Sequence, residues 1–139
     1  MATTRYASAR WNGSLMEGSG EVSLDSSGIG VFPVSWPARS EASNGLTSPE
    51  ELIAAAHATC FSMALSNGLA KGGTPPTELR TSAEVDFQPG TGITAIRLRV
   101  SGDVPGLDAE GFMAAALQAK DGCPVSQALK AVPISLVVE

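Results

Sequence analysis

Residues 47–65 read TSPEELIAAAHATCFSMAL, and this stretch decides the fold. Ser48 suits an N-cap, Pro49 suits the first helical position, and Glu51 completes a capping box. Apolar residues then continue almost to the KGG sequence at 71–73, which supplies a stop. We therefore predict a central helix of about six turns that starts at Pro49 and has little contact with solvent.

Upstream of this helix, the sequence predicts a group of strands. RYASARW (5–11) and GSGEVSLDS (18–26) alternate with period two and are joined by a turn around Asn12 and Gly13. A third short strand is expected in VFPVSW (31–36). The polar sequence that follows, PARSEASNGL, is predicted to be a connection to the helix.

Downstream, a second antiparallel group is expected. LRTSAEVDFQ (79–88) and ITAIRLRVSGDV (93–104) alternate and are separated by PGTG, which is typical of a hairpin. Asp108 can cap a second helix that Gly122 would end. A short helix opened by Cys123 and Pro124 and a last strand in AVPISLVVE complete the chain.

These elements define an α+β fold, with antiparallel N-terminal and C-terminal strand groups around a long central helix. The length of 139 residues suits a single domain over residues 1–139. A net charge of −5 without a basic run argues against nucleic acid as a partner. The apolar run Leu52–Leu65 is expected to be too short for a membrane span. The first residues lack the apolar core of a signal peptide, so a cytoplasmic location is expected.

Cys60 lies in the middle of the predicted helix, and two interpretations stay open. A free cysteine is among the residues most often buried, so Cys60 can serve as a small packing residue. A reactive thiol at this position would need a nearby cation, because it lacks the helix N-terminus that lowers a thiol pKa. Cys123 differs, since GCPVSQAL places it at a helix N-cap, where free N–H groups favour a thiolate. A turn cysteine selected for its size is the alternative.

His57 precedes Cys60 by three residues, so both project from one helix face. This spacing permits a Cys/His nucleophilic pair, or a metal site completed by Cys123 and a carboxylate. A lone helical histidine is more often a hydrogen-bonded packing residue, and the cysteines lack a close metal-ligand spacing. No metal is therefore expected. Glu50 is free in the first turn, but about 15 Å of helix separates it from Cys60, so the two cannot meet within one helix.

The sequence resembles the OsmC/Ohr family of osmotically inducible and organic-hydroperoxide-resistance proteins. The resemblance is carried by LTSPEELIAAAHATCFSMALS (46–66), GCPVSQALKA (122–131) and VPGLDAEGF (104–112), and it covers nearly the whole chain. The histidine in AAHATCF and the arginine in PARSE are more similar to the OsmC branch than to the Ohr branch.

The resemblance implies an intertwined homodimer with its active sites at the subunit interface. It also implies reduction of organic hydroperoxides, with hydrogen peroxide left open as a further substrate. By position, Cys60 matches the peroxidatic cysteine and Cys123 the resolving cysteine, while Arg39 and Glu50 match the charged pair that activates the thiolate. Glu50 would then approach Cys60 of the other subunit. No cofactor is implied, and an external thiol or dithiol would reset the enzyme.

The sequence alone leaves open which arginine lies near the thiolate, which class of enzyme this is, and whether the protein is an enzyme. Five other arginines are candidate cations for the thiolate: Arg5, Arg10, Arg80, Arg97 and Arg99. A second enzyme class is a hydrolase or acyl transferase built on Cys60 and His57. A third class is a non-enzymatic protein that binds a hydrophobic ligand and uses both thiols only for packing.

Overall fold

The computed structural model describes residues 1–139 in two compact units, Met1–Pro49 and Glu50–Glu139, called here the N-terminal and the C-terminal unit. The chain contains two three-stranded sheets and one long helix. The predicted α+β class is therefore confirmed. The single domain over residues 1–139 stays a prediction.

The N-terminal unit holds an antiparallel sheet in the order β1-β2-β3. Its strands are β1 (Ser8–Asn12), β2 (Ser19–Ser23) and β3 (Val31–Val34). The second and third lie within segments predicted to be strands, and β1 extends one residue beyond its segment, to Asn12. Gly13 follows β1 with a φ of 92°, a conformation that glycine adopts without a steric penalty. The predicted turn at this place is therefore confirmed.

A short helix, α1 (Trp36–Ser40), replaces the first half of the predicted polar connection. The Oγ atom of Ser35 accepts a hydrogen bond of 3.2 Å from the backbone N–H of Ala38, and Pro37 occupies the first turn. Both are helix start signals, but five residues are too few to show a helical period. The prediction of a connection is thus wrong here, and the missed helix carries Arg39.

The long helix α2 spans Pro49–Lys71, so its predicted start and stop are both confirmed. Its buried residues recur every four positions from His57 onward and face one side. The opposite side is exposed, and Met63, for example, is 68% exposed. The expectation of little solvent contact is therefore wrong for this chain by itself. The sequence of α2 has no charged residue between Glu51 and Lys71, so its exposed side is apolar or weakly polar.

The length of α2 also corrects the argument about membranes. The helix extends beyond Leu52–Leu65, and its 23 residues are long and apolar enough to cross a bilayer. The core helix of a soluble protein satisfies the same two criteria. Length and composition therefore do not exclude a span, contrary to the expectation from the sequence.

The C-terminal unit holds the second sheet in the order β4-β5-β6. The strands β4 (Glu78–Gln88) and β5 (Gly92–Asp103) form the predicted hairpin, and β6 (Ile134–Val138) is the predicted last strand. β6 pairs with β5 in parallel, unlike the antiparallel pairing within the hairpin. The parallel pairing follows because the chain crosses over through two helices before it returns to the sheet.

The two helices of this crossover are α3 (Ala109–Gly122) and α4 (Pro124–Ala128), both as predicted. The Asp108 side chain caps α3 by accepting a hydrogen bond of 2.8 Å from the N–H of Gly111. One face of α2, one face of β5 and α3 enclose a single core. Its buried members are Phe61, Leu65, Leu69, Leu98, Val100, Phe112, Ala116, Ala119 and Cys123.

Candidate active site

Cys60 and Cys123 lie in contact, although they are far apart in the sequence. Cys60 packs against the buried cluster that contains Cys123, the Cys123 thiol is near enough to raise the pKa of the Cys60 thiol, and neither cysteine is in a disulfide. Cys60 is half-buried on α2, and Cys123 is fully buried at the start of α4. One accessible thiol and one protected thiol therefore face each other, and a disulfide between them would need only a local change.

Local sequence explains the position of Cys123. Its backbone N–H donates to the carbonyl of Ala119 and so ends α3, while Pro124 begins α4. The Cys123 side chain makes no capping hydrogen bond, so its sulfur is available to Cys60. The backbone N–H of Val125, in the first turn of α4, is near enough to the Cys60 sulfur to lower its pKa. The start of α4 thus supplies both polar contacts of Cys60.

Burial raises the pKa of the Cys60 thiol above its ordinary value of 9.0. The contact with Cys123 raises it further, and the N–H of Val125 opposes both effects by stabilising a negative sulfur. No lysine or arginine of the C-terminal unit contributes to this shift. Within this unit alone, the thiol is therefore the favoured form, and a thiolate needs a cation from elsewhere.

The arginines of the C-terminal unit are occupied by carboxylates on the exposed face of the second sheet. Arg97 binds both oxygens of Asp86, at 2.7 and 2.8 Å, and also bonds Glu84 at 2.8 Å. The pKa of the Asp86 carboxyl group is lowered by Arg97. The neighbouring pairs are Arg99 with Glu84 and Glu139, and Arg80 with Glu78 and Asp103. These three candidate cations are therefore engaged in ion pairs on the sheet.

The other arginines belong to the N-terminal unit. Arg10 bonds Glu21 at 2.9 Å across the sheet, and Arg5 donates to the carbonyl of Thr4 at 3.0 Å. Arg39 is half-buried on α1 and lines a cleft of about 490 Å³. The other side chains of this cleft are mostly apolar and include Trp11, Leu15, Val34 and Trp36.

Glu50 lies in the first turn of α2, as predicted, and is only 6% exposed. A carboxylate is favoured there by the helix dipole, but its burial also removes most of its hydration. Glu50 and Cys60 lie on the same continuous helix, so about 15 Å of helix axis separates them. The structure thus brings the two cysteines together and keeps Glu50 away from the Cys60 of its own chain.

His57 does not pair with Cys60. Its Nε2 atom shares a hydrogen bond of 2.6 Å with the Oγ atom of Ser126, and its Nδ1 atom has no hydrogen-bond partner. Both residues are buried, and burial lowers the pKa of His57 below 6.5. Ser126 is a residue of this site that sequence reasoning missed, because nothing in its local sequence connects it with a helix far upstream.

A cleft of about 520 Å³ opens beside Cys60 between α2 and α3. Its lining is largely apolar and small, from Ala64 and Gly68 on α2 to Ala115 and Ala119 on α3. The cleft is large enough for a compact apolar group next to the sulfur. No three His, Cys, Asp or Glu side chains are grouped so that they could hold a metal ion.

Comparison with known proteins assigns the chain to a family. A model of the family described as OsmC-like protein matches residues 42–137. The Peroxiredoxin OsmC of Escherichia coli (strain K12) is 44% identical over 134 residues, which cover 94% of this chain and 93% of that protein. The chain therefore belongs to the OsmC-like protein family.

Solved structures agree with this fold. The crystal structure of an OsmC like protein from Mycoplasma pneumoniae has a TM-score of 0.75 at 14% identity and covers 100% of this chain and 98% of its own. The Organic Hydroperoxide Resistance Protein OhrB of Bacillus subtilis has a TM-score of 0.69 at 24% identity, with coverages of 96% and 98%. The predicted resemblance to the OsmC/Ohr family is thus confirmed.

The buried His57 predicts a specific loss of stability in acid. The unfolded chain takes up a proton on this residue near pH 6.5, whereas the folded chain does so only at lower pH. The free energy of unfolding therefore decreases as the pH falls below 6.5, by at most about 1.4 kcal/mol per pH unit, until the folded pKa is reached.

Urea unfolding at a fixed protein concentration between pH 7.5 and pH 5, followed by circular dichroism, measures this effect. The control is His57→Gln, which keeps an amide within reach of Ser126 but does not titrate. The stability difference between wild type and control should fall with pH, and parallel pH profiles for the two proteins would contradict the prediction.

Proposed function

We propose that this protein is a thiol-dependent peroxidase that reduces organic hydroperoxides to alcohols. The observation that carries the proposal is the contact between the half-buried thiol of Cys60 and the buried thiol of Cys123. The Escherichia coli relative is named a peroxiredoxin, and the Bacillus subtilis structure is named for organic hydroperoxide resistance. Both names support a redox role.

In the first step, the Cys60 thiolate attacks the terminal oxygen of the hydroperoxide. An S–O bond forms, the O–O bond breaks, and the leaving alkoxide takes a proton to become the alcohol. Cys60 is oxidised to a sulfenic acid by two electrons, and the peroxide is reduced by the same two. The N–H of Val125 favours this step, because it stabilises negative charge on the sulfur.

In the second step, the sulfur of Cys123 attacks the Cys60 sulfenic acid. An S–S bond forms, the S–O bond breaks, and the hydroxyl group leaves as water with the proton of Cys123. An external thiol or dithiol then reduces the disulfide by exchange and restores both thiols. The protein needs no cofactor in this scheme.

The thiolate requires a cation, and we assign this role to Arg39, oriented by Glu50. The Cys60 environment within the C-terminal unit raises its pKa, and the arginines of that unit are engaged by carboxylates. A guanidinium is permanently charged and can also donate to a peroxide oxygen. Paired hydrogen bonds from a carboxylate would hold it in place.

The proposed assembly is a homodimer. Glu50 cannot reach the Cys60 of its own chain, since one helix separates them, but it can approach that of a second chain. The uncharged exposed side of α2 supports this assembly, because a second subunit would cover an apolar surface that water otherwise contacts. Because a second subunit would cover this surface, the apolar sequence of α2 is better explained by a core helix of the dimer than by a membrane span.

Two clefts favour an organic substrate. The cleft beside Cys60 and the cleft that contains Arg39 are both lined mainly by apolar groups. An alkyl or aryl hydroperoxide joins an apolar body to a polar peroxide group, which suits an apolar lining next to a thiol and a guanidinium. The competing Cys/His hydrolase is disfavoured, because His57 bonds Ser126 and leaves Cys60 without a general base.

Replacing each cysteine by serine should separate the two steps. With cumene hydroperoxide and dithiothreitol, Cys60→Ser should lose essentially all turnover, because serine does not form a sulfenic acid. Without dithiothreitol, Cys123→Ser should still consume one equivalent of peroxide in a single turnover. Consumption of hydroperoxide is measured by a ferric–xylenol orange assay, and full turnover by Cys60→Ser would contradict the proposal. Inert cysteines of a ligand-binding protein would consume no peroxide in any variant.

Replacing Arg39 by methionine should slow the first step. Loss of a cation near a thiolate raises its pKa by about one unit or more, so the rate at pH 7 should fall at least about 10-fold. Arg80→Met is the matched control, since Arg80 is held by Glu78 and Asp103 on the sheet. The rate of peroxide consumption in stopped flow measures the effect, and equal rates for the two variants would exclude Arg39 as the activating cation.

A further inference from the structure

His57 is a buried titratable residue that the proposed chemistry does not use. It is fully buried, the only hydrogen bond of its ring goes to Ser126 at 2.6 Å, and its Nδ1 atom is without a partner. A buried polar ring with one hydrogen bond depends on that bond for all of its polar compensation. The bond to Ser126 is therefore the one polar contact that fixes the position of the ring.

This bond lies close in sequence to the contact between the thiols on both of its sides. On α2, His57 precedes Cys60 by one helical turn. On the other side, Ser126 follows Cys123 by three residues in α4. Two neighbouring contacts thus connect α2 with the α4 segment. One is between the thiols of Cys60 and Cys123, and the other is between the imidazole of His57 and the hydroxyl group of Ser126.

The first chemical step changes the contact between the thiols and leaves the bond between His57 and Ser126 intact. When Cys60 becomes a sulfenic acid, an oxygen is added to its sulfur, so the thiol contact with Cys123 is altered. Helix α4 has five residues and cannot hold its conformation by its own hydrogen bonds. The bond between His57 and Ser126 contains no sulfur and is unchanged by this oxidation.

We propose that His57 is a positioning residue that, through Ser126, keeps α4 against α2 while Cys123 attacks the oxidised Cys60. This inference rests on the proposed peroxidase function. The step concerned is the condensation in which the S–S bond forms, the S–O bond of the sulfenic acid breaks, and water leaves with the Cys123 proton. In the reduced protein the contact between the two thiols also holds α4 against α2, so loss of the bond between His57 and Ser126 should act mainly on the second step.

The proposal predicts how the oxidised enzyme divides between two fates. The Cys60 sulfenic acid either condenses with Cys123 or is oxidised by a second hydroperoxide molecule to a sulfinic acid. A correctly placed Cys123 favours the disulfide. A displaced α4 slows condensation, and the sulfinic fraction then increases at high peroxide concentration.

The test compares three serine variants of the full chain in single turnover with cumene hydroperoxide. Ser126→Ala removes the hydroxyl group from His57, and Ser126→Thr retains a hydroxyl group. The matched control is Ser62→Ala, which removes another α2 contact of 2.6 Å, made with the Oγ1 atom of Thr81 on β4. Stopped flow measures loss of the Cys60 thiol, and quenched samples analysed by mass spectrometry measure disulfide and sulfinic acid.

In Ser126→Ala, the first step should stay within about two-fold of wild type, since in the reduced protein the contact between the two thiols still holds α4, and with it the N–H of Val125, against Cys60. Disulfide formation should be about 5- to 30-fold slower, as expected for the loss of one buried hydrogen bond, and the sulfinic fraction should rise. Ser126→Thr should recover much of the rate, and Ser62→Ala should behave as wild type in both steps. Equal disulfide rates in wild type and Ser126→Ala, or equal slowing of both steps, would overturn the positioning role.

A second pair of variants keeps the test independent of the stability of Ser126→Ala. At position 57, the glutamine amide reaches the place of Nε2, whereas the asparagine amide reaches only that of Nδ1. His57→Gln should therefore condense at nearly the wild-type rate and His57→Asn more slowly, and equal rates would contradict the proposal. Absence of both sulfenic acid and disulfide in wild type would instead refute the peroxidase function itself.

Discussion

The placement of the first turn of α4 against the middle of α2 is the constraint on which the site depends. This one junction brings the Cys123 thiol and the N–H of Val125 to the sulfur of Cys60. It also buries Cys123 completely and leaves Cys60 half-buried. The same burial that protects the thiols raises the pKa of Cys60, so the geometry that favours a disulfide opposes formation of the thiolate.

This opposition explains why the proposed activity needs more than the C-terminal unit. The strand β5 carries buried apolar residues on one face and arginines on the other, where Arg97 and Arg99 bind carboxylates. These guanidinium groups form ion pairs on the sheet, so they do not provide a cation for the Cys60 sulfur. In the proposed dimer, Arg39 supplies the cation that this unit lacks, Glu50 orients it, and the apolar exposed side of α2 becomes an interior surface.

Much of the fold could be predicted from local sequence because local physics determines it. Ser48, Pro49 and Glu51 predicted where α2 begins, and Asp108 predicted the start of α3. The helix α1 was missed because five residues show no periodicity, and the parallel pairing of β6 depends on the crossover and not on the strand's own residues. The exposure of α2 was also mispredicted, since an apolar sequence does not distinguish burial within one chain from burial between two.

The site was less predictable, because its contacts join residues distant in sequence. Each cysteine could be evaluated by itself, but their proximity came only from the family resemblance, and the roles of Cys60, Cys123, Arg39 and Glu50 stay predictions. The bond from His57 to Ser126 had no local signal in either segment. Its position beside the thiols follows from the two-helix crossover that returns the chain to the sheet.

The most direct measurement of the central claim is the covalent state of the protein after one equivalent of cumene hydroperoxide. Peptide mapping of the reduced protein, treated in this way and digested without reductant, locates any new bond. The account predicts a peptide pair linked through Cys60 and Cys123, two hydrogen atoms lighter than the two free peptides, and formed within one chain. Two unchanged thiols, or a bond that joins Cys60 to any other residue, would contradict it.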